Sequence, residues 1–377
     1  MSDEKPQRKP CTPKTRATKS AATGSATKKA TPKKAVPKKV ETQTPAAQTG
    51  APESTPEEFS APPLESQRVP LETARCVVIL NPKSGSSGAE FRATIESGLQ
   101  SRAVEYELRE TQLDLSGGEI AAQEIAAGAT LILACGGDGT VMSIVNGIAR
   151  ATQEQAEPAV TLSIIPGGTA NLLATALKIP GDTDDAVAVA VAGEDRIIDL
   201  GKCGDDYFAL GLGLGLTERL VSGTSARQKE KFGRAAYAWA MLRELGARPH
   251  NFTLTLDNKK PHRKSGVALV VANAGEIGGK MKFAPDARMD DGLLDVCVLR
   301  RFYFRDVIRM IIRTLFGDVR RDRAVAFYQA RRIEIDSDPP LDLQIDGEEV
   351  DQRKPLIVEV VPQALQVRVP MNAKDEG

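Results

Sequence analysis

Several kinds of residue are scarce in this 377-residue chain, and each scarcity narrows what it can do. Only two histidines occur, His250 and His262, both in a polar connecting stretch, which argues against a Ser-His-Asp or Cys-His hydrolase. The five cysteines, Cys11, Cys76, Cys135, Cys203 and Cys297, are scattered without Cys-x-x-Cys spacing. That argues against a zinc site or a disulfide framework and fits a reducing cytosol. No apolar run is long enough to span a bilayer, and the N-terminus lacks the apolar core of a secretory signal. Net charge is absent too, at +0, but the zero conceals a division. Residues 1–50 hold 12 basic against 3 acidic groups, leaving 38 basic against 47 acidic in the remainder. A Lys-, Ala-, Thr- and Pro-rich segment of this kind cannot bury enough apolar area to offset its ordering entropy, so residues 1–70 read as a disordered basic tail and linker. Its charge alone would allow contact with an anionic membrane, and nothing in it requires nucleic acid.

What the chain does have begins at Ala74. The run 74–80 reads as a buried parallel strand and opens into Asn81-Pro82-Lys83-Ser84-Gly85, a polar turn before a helix. Residues 104–109 alternate like a strand and lead to Thr111 and a helix over 118–127. A second buried run, 130–135, breaks into Gly136-Gly137-Asp138-Gly139-Thr140 and then Val141, where helical spacing begins. A third, 160–165, ends at Pro166-Gly167-Gly168-Thr169-Ala170-Asn171. Strands that end in glycine turns and feed helices present backbone N–H groups to anions, and three such turns at the strand ends of a doubly wound α/β domain converge on one crevice. An ordinary tight turn with Asp138 as helix N-cap would use the same residues.

After Asp199 the pattern changes. Strand-like runs at 207–216, 251–256, 266–273, 293–299, 330–335, 341–345 and 356–361, joined by short turns, predict an antiparallel β-sandwich or barrel. Helical patterns over 229–245 and 305–316 interrupt them, the second with a basic face suited to a surface helix or to anionic lipid. Gly211, Gly213 and Gly215 alternate within a strand-like run and imply close backbone packing rather than a nucleotide fingerprint. Two acidic turns stand out. Residues 288–295, Arg288-Met289-Asp290-Asp291-Gly292-Leu293-Leu294-Asp295, supply oxygen ligands suited to Mg²⁺ or an Asp-Gly hairpin. Asp346-Gly347-Glu348 supplies another hairpin or a carboxylate pair able to deprotonate a hydroxyl.

Taken together and in order, Asn81 to Gly85, Gly136 to Thr140, Gly168 to Asn171, Asp290 to Asp295 and Asp346 to Glu348 resemble the signatures of the diacylglycerol kinase catalytic-domain family, over roughly residues 73–370. The resemblance is to its soluble bacterial lipid kinases, related to sphingosine and ceramide kinases. It implies an α/β nucleotide-binding domain like that of NAD kinases and phosphofructokinases over 71–198, completed by 362–377, and a β-sandwich lipid-substrate domain over 199–361. It implies ATP against Asn81, Pro82, Lys83, Ser84, Gly85, Thr111, Gly136, Gly137, Asp138, Gly139, Thr140, Val141, Thr169 and Asn171. It implies Mg²⁺ on the Asp291 side chain and the main-chain carbonyls of Arg288 and Leu293. The general base falls to Glu348 with Asp346 beside it, or to Asp138, which otherwise joins the Mg²⁺–phosphate network. The expected activity is ATP-dependent phosphorylation of a lipid hydroxyl in phospholipid metabolism by a cytoplasmic, peripherally membrane-associated enzyme, with a homodimer left open. Leu172 stands where diacylglycerol kinases proper carry an acidic residue, so diacylglycerol is not singled out among lipids. NAD kinase shares the central glycine loop but does not explain the Gly-Thr-Ala-Asn and Asp-Gly-Glu elements together. A non-catalytic nucleotide- or lipid-binding protein would have no need of the intact acidic positions.

Overall fold

The computed structural model describes residues 74–84, 88–153, 160–215, 249–277, 281–282, 284, 287–300, 325–350 and 355–371. The expected tail over 1–70, the helices over 229–245 and 305–316, and Gly85 lie outside the described residues.

The first half alternates strand and helix: β1 (Cys76–Leu80), α1 (Gly88–Ser101), β2 (Glu107–Glu110), α2 (Gly117–Ala126), β3 (Leu131–Gly136), α3 (Asp138–Thr152), β4 (Thr161–Pro166), α4 (Leu172–Ala176) and α5 (Thr183–Ala192). The four strands pair in parallel in the order β2-β1-β3-β4. Every residue of β1, β3 and β4 is buried, because helices cover both faces, and the sequence is correspondingly apolar without a break. α2 is opened by a capping box, Ser116 with Glu119. α5 falls in a stretch whose Ala-Val alternation carries no helical period, and its start is fixed instead by Asp182, which accepts from the amides of Asp184 and Asp185.

The second half is antiparallel: β5 (Glu194–Cys203), β6 (Asp206–Phe208), β7 (Gly211–Leu214), β8 (His250–Leu256), β9 (His262–Gly266), β10 (Ala268–Ala272), β11 (Glu276–Ile277), β12 (Met281–Lys282), β13 (Leu294–Leu299), β14 (Val325–Ala330), β15 (Arg332–Ser337), β16 (Leu343–Ile345), β17 (Glu348–Val350) and β18 (Leu356–Val369). One six-stranded sheet runs β14-β13-β10-β7-β16-β17. It packs through Leu212, Leu269, Val271 and Val296 against Phe252, Leu254, Ile333 and Val358 of the other sheet, forming a β-sandwich core. Over its described residues the expected strand at 207–216 is two strands, β6 and β7, because Ala209 and Leu210 between them, and Gly211 at the start of β7, direct their amides to Asp346.

β18 joins the halves. One edge pairs with β5 along nearly its whole length; the other pairs with β15 over its first residues and in parallel with β4 at Gln366 and Val367. The α/β sheet and one sandwich sheet are therefore continuous. Between Val361 and Leu365 the register with β5 shifts, so that residues 362–364 stand opposite Asp199 alone. The fully buried Asp199 carboxylate fills that bulge, accepting from the Gln363 amide at 2.7 Å. Farther along, Arg368 and Asp195, both side chains fully buried, form a two-pronged ion pair at 2.6 and 3.0 Å that locks β18 to β5.

Candidate active site

The ends of β1, β3 and β4 deliver the three glycine turns to one edge of the sheet. Asn81 organises the first turn. Its amide donates to Cys135 O, its side-chain Oδ1 accepts from the Lys83 amide at 3.0 Å, and its Nδ2 donates to Thr140 Oγ1 at 2.9 Å. That last bond ties the first turn to the second. The second and third turns touch backbone to backbone. The Gly167 amide donates to Gly136 O at 2.8 Å, and a Cβ on Gly168 would lie 2.6 Å from Gly137 Cα, so only glycine fits. Asn171, in the left-handed region at φ 47, holds the third turn with paired 2.9 Å bonds to the Gly168 main chain.

Gly137, not Asp138, is the N-cap of α3, and it offers no side chain to the cap. The Asp138 carboxylate is used elsewhere, accepting from the Leu172 amide at 2.5 Å, so the reading of Asp138 as an N-cap is corrected. The first intrahelical bond is from Val141 to Gly137 O, which leaves the preceding amides of α3 directed at whatever occupies the turn.

Three cavities meet here. One, about 430 Å³, is lined by Asn81, Ser84, Thr111, Gly137, Gly139 and Thr140. Another, about 930 Å³, lies beside it across Ser84 and is lined by Lys83, Phe91, Gly168, Thr169 and Asn171 among others. The third, about 150 Å³, shares Gly139 with the first and is lined by Asp138, Asn146, Tyr207, Asp346 and Glu348 among others. Gly136 and Val141 are buried behind these walls, while Pro82 is exposed.

Asp346 and Gly347 form the two-residue loop between β16 and β17, both with positive φ, as a type I′ hairpin turn requires. The Asp346 carboxylate accepts three amides, from Ala209, Leu210 and Gly211, at 2.8, 3.0 and 2.8 Å. Burial, and secondarily the nearby Asp138 charge, still push its pKa up to about 6. Glu348 opens β17 and is exposed; its Oε1 lies where a side chain on Gly139 would project. Asn146, which the sequence does not mark, closes the third cavity by exchanging hydrogen bonds with the main chain of Tyr207 at 2.9 Å. It lies one and two turns along α3 from Met142 and Asp138, on the same side of the helix, and its spacing carries no distinctive signal.

Arg288, Asp291 and Leu293 lie on a different loop and line none of these three cavities. No hairpin forms at residues 290–292; Gly292, at φ 69, turns the chain into β13. Asp291 accepts from the Leu293 amide at 3.0 Å, and burial, with the charges of Asp199 and Asp290, pushes its carboxyl up to about 6. Asp199 Oδ2 accepts from Gly292 N at 2.7 Å, so one buried carboxylate ties this loop to the β18 bulge. Among the described residues, no three His, Cys, Asp or Glu side chains are grouped to hold a metal ion.

Comparison with known proteins adds to this geometry. Residues 75–203 match the family model described as diacylglycerol kinase catalytic domain, and residues 216–369 match the YegS C-terminal NAD kinase beta sandwich-like domain. The chain is 31% identical over 220 residues to the diacylglycerol kinase of Bacillus subtilis (strain 168), covering 58% of this chain and 71% of that protein. It is 30% identical over 307 residues to the "Probable lipid kinase YegS-like" of Stenotrophomonas maltophilia (strain K279a), covering 80% and 97%. Its fold is similar to that of a diacylglycerol kinase from Bacillus anthracis str. Sterne, with a TM-score of 0.63 at 22% identity over 80% of this chain and 98% of that one.

Proposed function

The chain belongs to the diacylglycerol kinase catalytic-domain family of lipid kinases, and from that premise we propose that it transfers the γ-phosphoryl group of ATP to a lipid hydroxyl, with Glu348 as the general base. The observation that carries the proposal is the position of the Glu348 carboxylate, which lies against Gly139 where the glycine-turn cavity meets the acidic one.

In this reading the nucleotide phosphates lie on the side of Asn81, Thr111 and Thr140, met by the free amides at the start of α3. The tight packing of Gly137 on Gly168 holds the second and third turns together, and glycine there leaves no side chain between their backbone and a phosphate. Lys83 and Thr169, on the neighbouring cavity, add a cation and a hydroxyl. The acceptor hydroxyl enters from the acidic cavity. Its oxygen attacks the γ-phosphorus in line while its proton passes to a Glu348 carboxylate oxygen. The bond from the γ-phosphorus to the β,γ-bridging oxygen breaks, and its electrons leave with ADP. Asp346 acts indirectly, pinning the hairpin that carries Glu348 to residues 209–211.

Mg²⁺ fits two places by donor chemistry. The Asp291 carboxylate with the carbonyls of Arg288 and Leu293 would hold an ion whose charge compensates a carboxylate that burial, and secondarily Asp199 and Asp290, make unfavourable to ionise. Asp138, beside the phosphate turn, would face the nucleotide's own ion. An ion beside Asp138 would supply charge neutralisation of the phosphates.

No helix among the described residues is long and apolar enough to cross a membrane. In the proposed reading the acceptor lipid is met at a membrane surface, with the basic charge of residues 1–50 adding attraction to anionic lipid. The test is to incubate the full chain with γ-labelled ATP, Mg²⁺ and separate micelles of diacylglycerol, ceramide, sphingosine and a polyprenol. Label in one extracted lipid is expected; label in none, with undiminished ATP binding, would remove the kinase reading.

A further inference from the structure

Five glycines lie in the second and third turns, and a Cβ added to each would meet different things; on Gly167 it would strike the Phe91 ring at 2.8 Å. On Gly136 it would strike the Thr140 side chain at 2.8 Å, and on Gly168 the Gly137 backbone at 2.6 Å. On Gly137 it would press on Gly168 Cα at 3.3 Å. The last three are glycines because the turns are folded tightly on themselves. Gly139 differs. Its added Cβ would meet one atom within 4 Å, Glu348 Oε1, at 2.9 Å. Nor does its backbone need glycine: it lies inside α3 and is not among the glycines with positive φ. In a helix the intrinsic preference at this position is for alanine. Gly139 lines both the nucleotide-side and the acidic cavity, and the one protein atom its side chain would strike is the Glu348 carboxylate oxygen.

We propose that Gly139 is a positioning residue for phosphoryl transfer: its lack of a side chain lets the Glu348 carboxylate settle on the first turn of α3, between the nucleotide side and the acceptor side of the site. The inference rests on the reading of Glu348 as the base. The carboxylate is fixed from both directions. Behind it, the β16–β17 hairpin is tethered through Asp346 to the amides of residues 209–211, and in front of it the carboxylate lies against Gly139. Among the described protein atoms a methyl group there meets only a flexible carboxylate, so the fold tolerates it and the base moves. Small displacements of a catalytic group lower the rate with little change in ground-state binding.

The experiment compares wild type with Gly139→Ala, Glu348→Asp, Glu348→Gln and the double variant Gly139→Ala/Glu348→Asp, using the full chain with MgATP and the best lipid acceptor. Melting temperature, ATP affinity by calorimetry and steady-state rates are measured for each. Gly139→Ala is expected to melt at or above the wild-type temperature, to bind ATP within about twofold of wild type, and to lose at least about tenfold in kcat. The shorter Asp side chain removes the overlap, so the double variant is expected to be no slower than Glu348→Asp alone. Wild-type kcat in Gly139→Ala with Glu348→Gln inactive would overturn the inference and leave the base in place. A lowered melting temperature, a parallel loss of ATP affinity, or multiplicative losses in the double variant would also overturn it. Undiminished turnover by Glu348→Gln would instead overturn the reading of the base.

Discussion

Replacing Asp346 separates two things its carboxylate does at once. It accepts three amides, and it carries a charge in a place that resists charge. Asp346→Ala orphans the amides of Ala209, Leu210 and Gly211, at about 2 kcal/mol each. Removing the charge returns about 3 kcal/mol at neutral pH, since burial lifts the carboxyl from 3.8 to about 6. The residue also sits at φ 47, where alanine adds about 1 kcal/mol of strain that Asn and Asp largely avoid. The alanine variant should therefore be less stable by about 4 kcal/mol. Asp346→Asn keeps an oxygen for Leu210 and Gly211, loses the Ala209 bond and sheds the charge, so it should fall within about 1 kcal/mol of wild type. The sign of the pH dependence follows. A carboxyl with a raised folded pKa favours folding fully below 3.8, and that contribution is lost as pH rises through about 6; the Asn variant should lack this slope. Urea denaturation at several pH values, with hydrogen exchange at the amides of residues 209–211, measures all of this. An alanine variant as stable as the asparagine one would refute the reasoning.

Gly168→Ala should separate the second and third turns and weaken ATP binding by about tenfold or more, measured by calorimetry on a folded variant, because its Cβ would meet Gly137 at 2.6 Å. Magnesium should raise the melting temperature more near neutrality than near pH 4, because the Asp291 carboxylate is ionised and unfavourable only above its pKa of about 6; Asp291→Asn should remove the difference. Arg368→Met leaves Asp195 charged and buried and should destabilise by about 3–5 kcal/mol in denaturant, whereas Arg368→Met with Asp195→Leu should recover much of that.

The α/β half was readable from sequence because β1, β3 and β4 are buried on both faces, which leaves unbroken runs such as Val77–Leu80 and Leu131–Cys135. Glycine turns at three strand ends, read with the parallel order those strands imply, place Asn81, Thr111, Gly137 and Thr140 on one cavity. The Asp-Gly turn at 346–347 was readable as a hairpin, since both residues tolerate positive φ. Other features carry no local signal. β9 is a polar strand at the sheet's edge, so its residues do not alternate. β18 belongs to both halves, and the bulge that makes this workable is stabilised by Asp199, 164 positions away. Asp346 likewise finds its amides 135–137 positions distant. Such contacts are set by tertiary packing, which residue patterns within one segment do not encode.

The most direct measurement on the central claim is single-turnover phosphorylation of lipid by Glu348→Gln, with its ATP affinity determined in parallel. Loss of a general base predicts a transfer rate lower by about 10²–10⁴-fold with ATP affinity nearly unchanged. Transfer at the wild-type rate, or a rate loss matched by an equal loss of ATP affinity, would contradict it.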